Sequence, residues 1–289
     1  PLIIKIVNGL LDRLEDLSEF DLVKEYAMAL PTEIISFMLG IPVEHRHKLR
    51  QYSLNILGAL DPVVSQERLD EGNFSVEEFG EVLSQIIDHR RSEQTPKSDG
   101  EILMSLILGD VNGRRLTNTE LIQNCIFLLN AGHETTTSMV ANSMHMFFSA
   151  PDQLNLLKED PDLITTAIEE GLRYESPLQV GNRVTTGEVE IGGELLPTGT
   201  YIHTSIAGAN RDPAEFNKPE QVDITRKPNR HIAFAMGHHV CLGATLARME
   251  GRIAIGELVK RFPKIQQTGP AISMGLARFR GFNNMPVKI

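Results

Sequence analysis

The chain has 289 residues, of which 41% are hydrophobic and 23% charged, a composition typical of a globular protein with a large core. A formal net charge of -10 argues against nucleic-acid binding, which normally needs a basic face, and no apolar run reaches the roughly 18 residues of a membrane span. Cys125 and Cys241 are the only cysteines, which gives no disulfide framework. We therefore expect a cytoplasmic protein that binds neither nucleic acid nor a membrane.

The first part of the chain shows helical periodicity in several blocks. Residues 2–17 place apolar side chains on one face of an amphipathic helix, and Gly40-Ile41-Pro42 is typical of a helix end. Two longer helical stretches follow, on either side of Asp61-Pro62. The apolar face of the first helix is predicted to comprise Leu2, Ile3, Ile6, Leu10 and Leu14. Helices are predicted over residues 2–17, a segment ending at Gly40, 43–59 and 66–92.

A long helix is predicted next, because Thr117 and Glu120 have the spacing of a capping box and the apolar run continues to about Ser149. At 1.5 Å per residue, this helix would be about 45 Å long and could cross a whole domain. Its middle reads Ala131-Gly132-His133-Glu134-Thr135. Gly costs about 1 kcal/mol relative to Ala in a helix, and a buried carboxylate needs partners, so this segment indicates a function. A zinc-protease motif is excluded, since Thr137 stands where its second His belongs.

The following helix, over residues 161–175, begins at Pro161 and carries Glu170 and Arg173 on one face. From the residues alone the pair is either a solvated ion pair that contributes little stability or a structural pair beneath a loop. After it, residues 178–207 predict strands, with Arg183 near their start.

A cysteine stands between a glycine-containing loop and the next predicted helix, Leu242 to Arg261. The free N–H groups and partial positive charge of a helix N-terminus favour the thiolate, the form that ligates metals. Cys241 is therefore a candidate metal ligand, although most lone cysteines are small buried hydrophobes. As a ligand it could also belong to a Cys/His zinc site with His238 or His239.

The segment Phe234-Ala235-Met236-Gly237-His238-His239-Val240-Cys241-Leu242-Gly243 resembles the haem-binding signature of the cytochrome P450 family. The resemblance implies that Cys241 is the axial thiolate of haem iron. It departs from the family at Ala235, where Gly is usual, and a methyl group there would strain a turn with positive φ. It further implies a haem-binding set consisting of Phe234 over the sulfur, Gly237 and Gly243 at the porphyrin, and His231, His239 and Arg183 at the propionates.

The same resemblance assigns roles to the two motifs upstream. Ala131 and Gly132 would make room for dioxygen, and Glu134 and Thr135 would relay protons. Glu170 and Arg173 would form a structural pair that supports the cysteine loop beneath the haem. By family position, the pocket-facing residues are expected to be Leu178 to Asn182, Ala131 and Phe282.

The resemblance extends over the whole chain and implies a mainly α fold with a smaller β region, as a single domain over residues 1–289. The family's first helices and strands have no counterpart, so we expect the cytochrome P450 fold without its N-terminal portion. A face left open in this way would weaken haem retention or be covered by a homodimer.

The implied activity is haem-thiolate monooxygenation of an apolar organic substrate, with haem b and dioxygen and with electrons from a separate ferredoxin or flavoprotein. A thiolate ligand favours O–O cleavage. A haem-binding remnant with impaired catalysis would share all of these motifs, and a noncatalytic interaction module would have lost haem altogether. The substrate itself is not predicted beyond its apolar character.

Overall fold

In a computed structural model that describes residues 1–93, 101–110 and 112–289, most of the chain is helical, as the sequence predicts. A π-helical turn covers Val23–Ala27, and 3-10 turns cover Pro161–Leu163 and Gly237–His239. The α-helices of this part of the chain are α1 (Leu2–Leu14), α2 (Ala29–Leu39), α3 (Val43–Arg46), α4 (Leu49–Gly58), α5 (Gln66–Glu93), α6 (Ile102–Leu108), α7 (Asn118–Gly132), α8 (Glu134–Ser149), α9 (Pro151–Glu159), α10 (Ile164–Tyr174), α11 (Ile206–Ala209) and α12 (Ala244–Arg261).

The strands are short and pair in small antiparallel sheets. One sheet has the order β1-β9-β6, and the pairs β2-β5, β3-β4 and β7-β8 form the others that the described residues contain. The strands are β1 (Glu19–Asp21), β2 (Val180–Val184), β3 (Val189–Ile191), β4 (Glu194–Leu196), β5 (Tyr201–Ser205), β6 (Gln266–Gln267), β7 (Ile272–Ser273), β8 (Phe282–Asn284) and β9 (Pro286–Lys288).

Helix ends follow the local signals in the sequence. At the start of α7 the Thr117 hydroxyl accepts a hydrogen bond from Glu120 N at 3.2 Å, and Glu120 Oε2 accepts one from Thr117 N at 2.9 Å. Helix α2 ends at Gly40, whose φ of 63° places it in the left-handed region that favours glycine. Both ends were predicted from residue type alone.

Several predicted helices are divided or shifted. The long helix is not continuous, because α7 ends at Gly132 and α8 begins at Glu134. Helix α9 was not predicted, although Pro151 occupies the first-turn position that proline favours. The buried face of α1 also differs from the prediction, since Leu2 is exposed and Ile6 is only half-buried. The observed stripe is Ile3, Val7, Leu10, Leu11 and Leu14.

Two groups of buried apolar side chains hold these elements together. The first joins α1, α8, α10 and α12 with the strands at both ends of the chain, and the second joins α4, α5, α6 and α7 with the end of α2. Burial of this kind contributes roughly 25 cal/mol per Å² of apolar surface removed from water. The α7–α8 junction lies where the two groups meet.

The two ends of the chain lie in one sheet, since β1 pairs with β9 in antiparallel register. Asp21 Oδ1 accepts a hydrogen bond from Met285 N at 2.9 Å, which reinforces the pairing. The Tyr26 hydroxyl, fully buried in the π-helical turn, donates to the carbonyl of Ala254 in α12 at 2.6 Å. The first and last segments are therefore one structural layer.

No helix within the described ranges combines the length and the apolar character that a membrane crossing would require.

Candidate active site

A cavity of about 520 Å³ lies between the α7–α8 junction, strand β2, the loop before α12 and the loop after β7. Its walls are mainly apolar side chains, and its size falls within the range of small-molecule sites. Ala131 and Thr135, from the α7–α8 junction, and Cys241, from the loop before α12, all line it. The structure therefore brings the two motifs that the sequence singled out to a single cavity.

Cys241 is exposed, in contrast to Cys125, which is buried. Burial raises the pKa of the Cys125 thiol to about 11, which makes it a poor metal ligand. The Cys241 loop is closed by a hydrogen bond from Cys241 N to the carbonyl of Phe234 at 2.9 Å. Helix α12 begins at Ala244 and not at the predicted Leu242, so the cysteine lies in a turn just before the helix.

The turn that carries Cys241 contains two residues with positive φ, Ala235 at 58° and Gly237 at 64°. Glycine adopts this conformation freely, whereas a residue with a Cβ is strained in it by roughly 1–2 kcal/mol. The strain expected from the family departure at Ala235 is therefore present. A Cβ added at Gly237 would meet no atom within 4 Å, so only the backbone conformation favours glycine there.

Replacing Ala235 by glycine is expected to stabilise the fold by about 1 kcal/mol. The substitution relieves the strain of the positive φ, and this gain exceeds the loss that comes from the greater entropy of glycine in the unfolded chain. Urea unfolding of both proteins measures this difference. Ala233→Gly is the matched control, since Ala233 lies in the same loop but is not among the residues with positive φ. That control is expected to be destabilised, and an unstabilised Ala235→Gly would show that the turn is not strained.

Of the three residues predicted to hold propionates, two line the cavity and one does not. Arg183, in β2, and His239 lie on the cavity wall. The His231 side chain is buried, with Nε2 donating to Glu169 Oε2 at 2.9 Å and Nδ1 accepting from Ala233 N at 3.2 Å. His231 thus does not line the cavity, because its ring is held on both sides by the protein, and its contact with a propionate stays a prediction.

Glu169 connects α10 to the cysteine loop and to α12. Besides His231, it accepts two hydrogen bonds from Arg248, at 2.7 and 2.8 Å. Burial alone would raise the pKa of Glu169, but the bonds from His231 and Arg248 outweigh it and lower the pKa to about 2. The Arg248 guanidinium also lies 4.5 Å from the centroid of the Phe234 ring. Glu169 was not predicted as a site residue, since adjacent acids are common on solvated helix faces.

Glu170 and Arg173 form a fully buried, bidentate ion pair, with both hydrogen bonds at 2.8 Å. Arg173 also donates to the carbonyls of Asn210, Pro219 and Gln221, which lie in the irregular segment between α11 and the cysteine loop. Further bonds to Glu170 come from the same segment, namely from Asp223 N, Arg226 and Asn229. The pair therefore fixes that segment to α10.

At the α7–α8 junction the chain interrupts its helix beside the cavity. The Thr135 hydroxyl donates to the carbonyl of Ala131 at 2.6 Å. Glu134 is buried and does not belong to the cavity wall, and its Oε2 lies 3.5 Å from His133 Nδ1. Neither Glu134 oxygen has a hydrogen-bond partner among the described residues. The predicted acid–alcohol pair is thus split, with the alcohol at the cavity and the acid behind it.

Phe282 was predicted to face the pocket, but it does not line the cavity. Phe282 is buried, with its ring centroid 4.6 Å from that of His145, whereas Phe279 lines the cavity. Arg278, which was not predicted at all, lines it as well. The tail is irregular and its apolar residues follow no period, so the sequence does not indicate which side chain faces the cavity. Among the other predicted pocket residues, Leu178, Val180, Gly181 and Asn182 line the wall, but Gln179 does not.

The residues around the cavity fit a haem. An exposed thiol at a tight turn supplies one soft ligand, the apolar walls suit a porphyrin, and Arg183 and His239 suit its two carboxylates. By contrast, the described ranges contain no group of three or more His, Cys, Asp or Glu arranged to hold a metal ion. A Cys/His zinc site therefore finds no ligand set in that part of the chain.

Solved structures share this architecture. P450BioI, in a complex with hexadec-9Z-enoic acid ligated acyl carrier protein, has 36% sequence identity and a TM-score of 0.94, covering 100% of this chain and 74% of that one. CYP109E1 from Bacillus megaterium, in complex with testosterone, has 30% identity and a TM-score of 0.88, covering 100% and 78%. The predicted fold class is thereby confirmed.

Curated relatives agree. The biotin biosynthesis cytochrome P450 of Bacillus subtilis is 37% identical over 265 residues, or 92% of this chain and 66% of the relative. The vitamin D(3) 25-hydroxylase of Pseudonocardia autotrophica is 36% identical over 297 residues, or 99% and 70%. The chain thus spans about two thirds of the length of these relatives. The model of the family described as Cytochrome P450 matches residues 63–274, and the chain belongs to that family.

Proposed function

We propose that the protein is a haem-thiolate monooxygenase that binds haem b and inserts one atom of dioxygen into an apolar organic substrate. The observation that carries the proposal is the exposed Cys241 thiol on the wall of an apolar cavity that Ala131 and Thr135 also line. Electrons come from a separate ferredoxin or flavoprotein. The chain spans about two thirds of the length of its relatives, and we propose that this part is itself able to turn over substrate.

On the thiolate side, the chain's task is to hold Cys241 at a fixed position and to keep water away. The loop is braced by the hydrogen bond between Cys241 N and the Phe234 carbonyl and by the contact of Arg248 with the Phe234 ring. Haem bound here supplies the iron that activates dioxygen, with the thiolate favouring O–O cleavage. Arg183 and His239 would hold the propionates, since both side chains can donate hydrogen bonds and line the same cavity.

On the opposite side, the chain must admit dioxygen and deliver protons. The α7–α8 junction is narrow, because Gly132 has no side chain and Ala131 has only a methyl group. The Thr135 hydroxyl, which donates to the Ala131 carbonyl at 2.6 Å, can turn to donate into the cavity. Glu134, buried behind it and without a hydrogen-bond partner among the described residues, is the group from which that proton is replaced.

Thr135→Ala is expected to leave haem binding intact while reducing equivalents are diverted to hydrogen peroxide. General acid groups of this kind contribute about 10²–10⁴-fold to the step they serve, so product per electron should fall steeply. The measurement is product formed and peroxide released per donor molecule oxidised.

Thr137→Ala is the matched control for that variant. Its hydroxyl also bonds the carbonyl four residues back, that of His133 at 3.0 Å, but Thr137 is buried and is not part of the cavity wall. Coupling should be unchanged in Thr137→Ala. Unchanged coupling in Thr135→Ala as well would contradict the proton-delivery role.

Two measurements test the function as a whole. The absorption spectrum of the reduced protein under carbon monoxide shows whether haem is bound with a thiolate ligand. A noncatalytic interaction module without haem would not show that spectrum. Turnover of an apolar substrate with a ferredoxin and its reductase then separates a competent enzyme from a haem-binding remnant. Absence of the thiolate-type spectrum would overturn the proposal.

A further inference from the structure

Two permanently charged guanidinium groups, those of Arg183 and Arg278, lie on the cavity wall. Arg183, Arg278 and His239 line the cavity, and no aspartate or glutamate of the described ranges does, although the whole chain has a formal net charge of -10. Two guanidinium groups against an apolar wall favour an anionic ligand, because a guanidinium in such a place needs a counter-charge. The bound porphyrin supplies two carboxylates, and Arg183 and His239 suffice for them in the proposed function.

Arg278 is the remaining cation, and its backbone is fixed at every side. Its N–H donates to Asp61 Oδ1 at 3.1 Å, and its carbonyl accepts from Gln179 N at 2.8 Å. The next residue, Phe279, forms a bridge with Leu178. The loop is therefore held against β2 and the α4–α5 connection, so the Arg278 side chain is presented to the cavity from a rigid position.

The guanidinium of Arg278 has unused capacity for hydrogen bonds. Among the described residues it forms an ion pair with no carboxylate, and its buried Nε has no hydrogen-bond partner. With the Asn182 amide turned so that its oxygen faces Arg278, that oxygen accepts from Nη2 of Arg278 and from the Tyr201 hydroxyl. This contact orients the planar group and leaves its other N–H donors free for a ligand.

We propose that Arg278 binds a carboxylate of the substrate, so that the apolar substrate of the proposed function is an organic acid. A guanidinium can bind a carboxylate through two parallel hydrogen bonds, which fixes the orientation of the rest of the molecule along the apolar wall. The inference deepens the proposed function and rests on it. Arg278 is then a positioning residue that sets which carbon of the acid faces the reacting centre.

The test compares decanoate with decan-1-ol, two probes of equal chain length that differ in charge. Their affinities for the haem-loaded protein are measured by calorimetry at neutral pH, with Arg278→Gln and Arg278→Lys alongside. We expect the wild type to bind decanoate at least about tenfold more tightly than the alcohol, a difference of about 1.4 kcal/mol. Arg278→Gln should abolish this preference, and Arg278→Lys should keep part of it.

Haem transfer to an acceptor globin separates this role from propionate binding. Arg278→Gln should release haem at the wild-type rate, whereas Arg183→Gln should release it faster. Faster release from Arg278→Gln, or equal affinity of the wild type for the two probes, would overturn the inference while leaving the monooxygenase proposal intact. A protein that takes up no haem would instead overturn the proposed function, and the inference with it.

Discussion

Replacing Cys241 by serine is expected to abolish the thiolate-type spectrum of the reduced carbon monoxide complex completely. A hydroxyl is a harder ligand that stays protonated at neutral pH, so it cannot supply the electron density that a thiolate gives to iron. Because Cys241 is exposed, the change should alter the free energy of unfolding by less than about 0.5 kcal/mol. Loss of the spectrum in a folded protein would therefore report on ligation alone.

The matched control is Cys125→Ser, which changes the other cysteine in the same way. Cys125 is buried in the group of apolar side chains around α7, so this variant should lose stability but keep the spectrum. The assignment of Cys241 is contradicted by a wild-type protein that shows the thiolate spectrum and a Cys241→Ser variant that shows it too.

Arg173→Ala is expected to destabilise the fold by about 3–5 kcal/mol, because the buried Glu170 carboxylate would lose its bidentate partner and keep only Arg226 as a counter-charge. The carbonyls of Asn210 and Pro219 would also lose the Arg173 donor, whereas that of Gln221 would keep its bond from Arg226. A loss of this size is a large fraction of the roughly 5–15 kcal/mol that holds a typical domain folded. Urea unfolding measures it, with the yield of soluble, haem-loaded protein as a second readout.

Arg261→Ala provides the comparison with a surface ion pair. Arg261 bonds Asp12 and Glu15 at 2.7 Å each, and both carboxylates are largely exposed. Its removal should cost far less stability than that of Arg173, since solvent screens such pairs. If Arg173→Ala proved as stable as Arg261→Ala, the buried pair would not be what fixes the irregular segment to α10.

Local signals in the sequence were sufficient for much of the helical framework. The capping box at Thr117 and the left-handed glycine at Gly40 act through the nearest few residues, so their structures could be predicted directly. The unusual segment around Gly132 was recognised because glycine and a buried acid are unfavourable in a helix, and the helix is interrupted there. None of these predictions depends on knowing which distant residue a side chain contacts in the folded protein.

The missed parts of the site depend on distant partners. His231 binds Glu169, which lies 62 residues earlier, and neither residue type predicts the other. Arg278 faces the cavity because Asp61, 217 residues away, holds its backbone amide. The irregular tail also has no hydrophobic period from which Phe279 could be preferred over Phe282. Side-chain direction in such segments is decided by tertiary contacts, which sequence pattern does not contain.

The sheet formed by β1 and β9 constrains the order in which this chain can fold. Asp21 and Met285 are 264 residues apart, and closing a loop of that length costs about 5 kcal/mol in chain entropy from its logarithmic dependence on length. Helix α1 buries its apolar stripe against α12, near the other end of the chain. At a synthesis rate of about 5–20 residues per second, the ribosome completes α12 roughly 10–50 s after α1. During that interval the apolar stripe of α1 in a nascent chain must be kept from water by contacts other than those with α12.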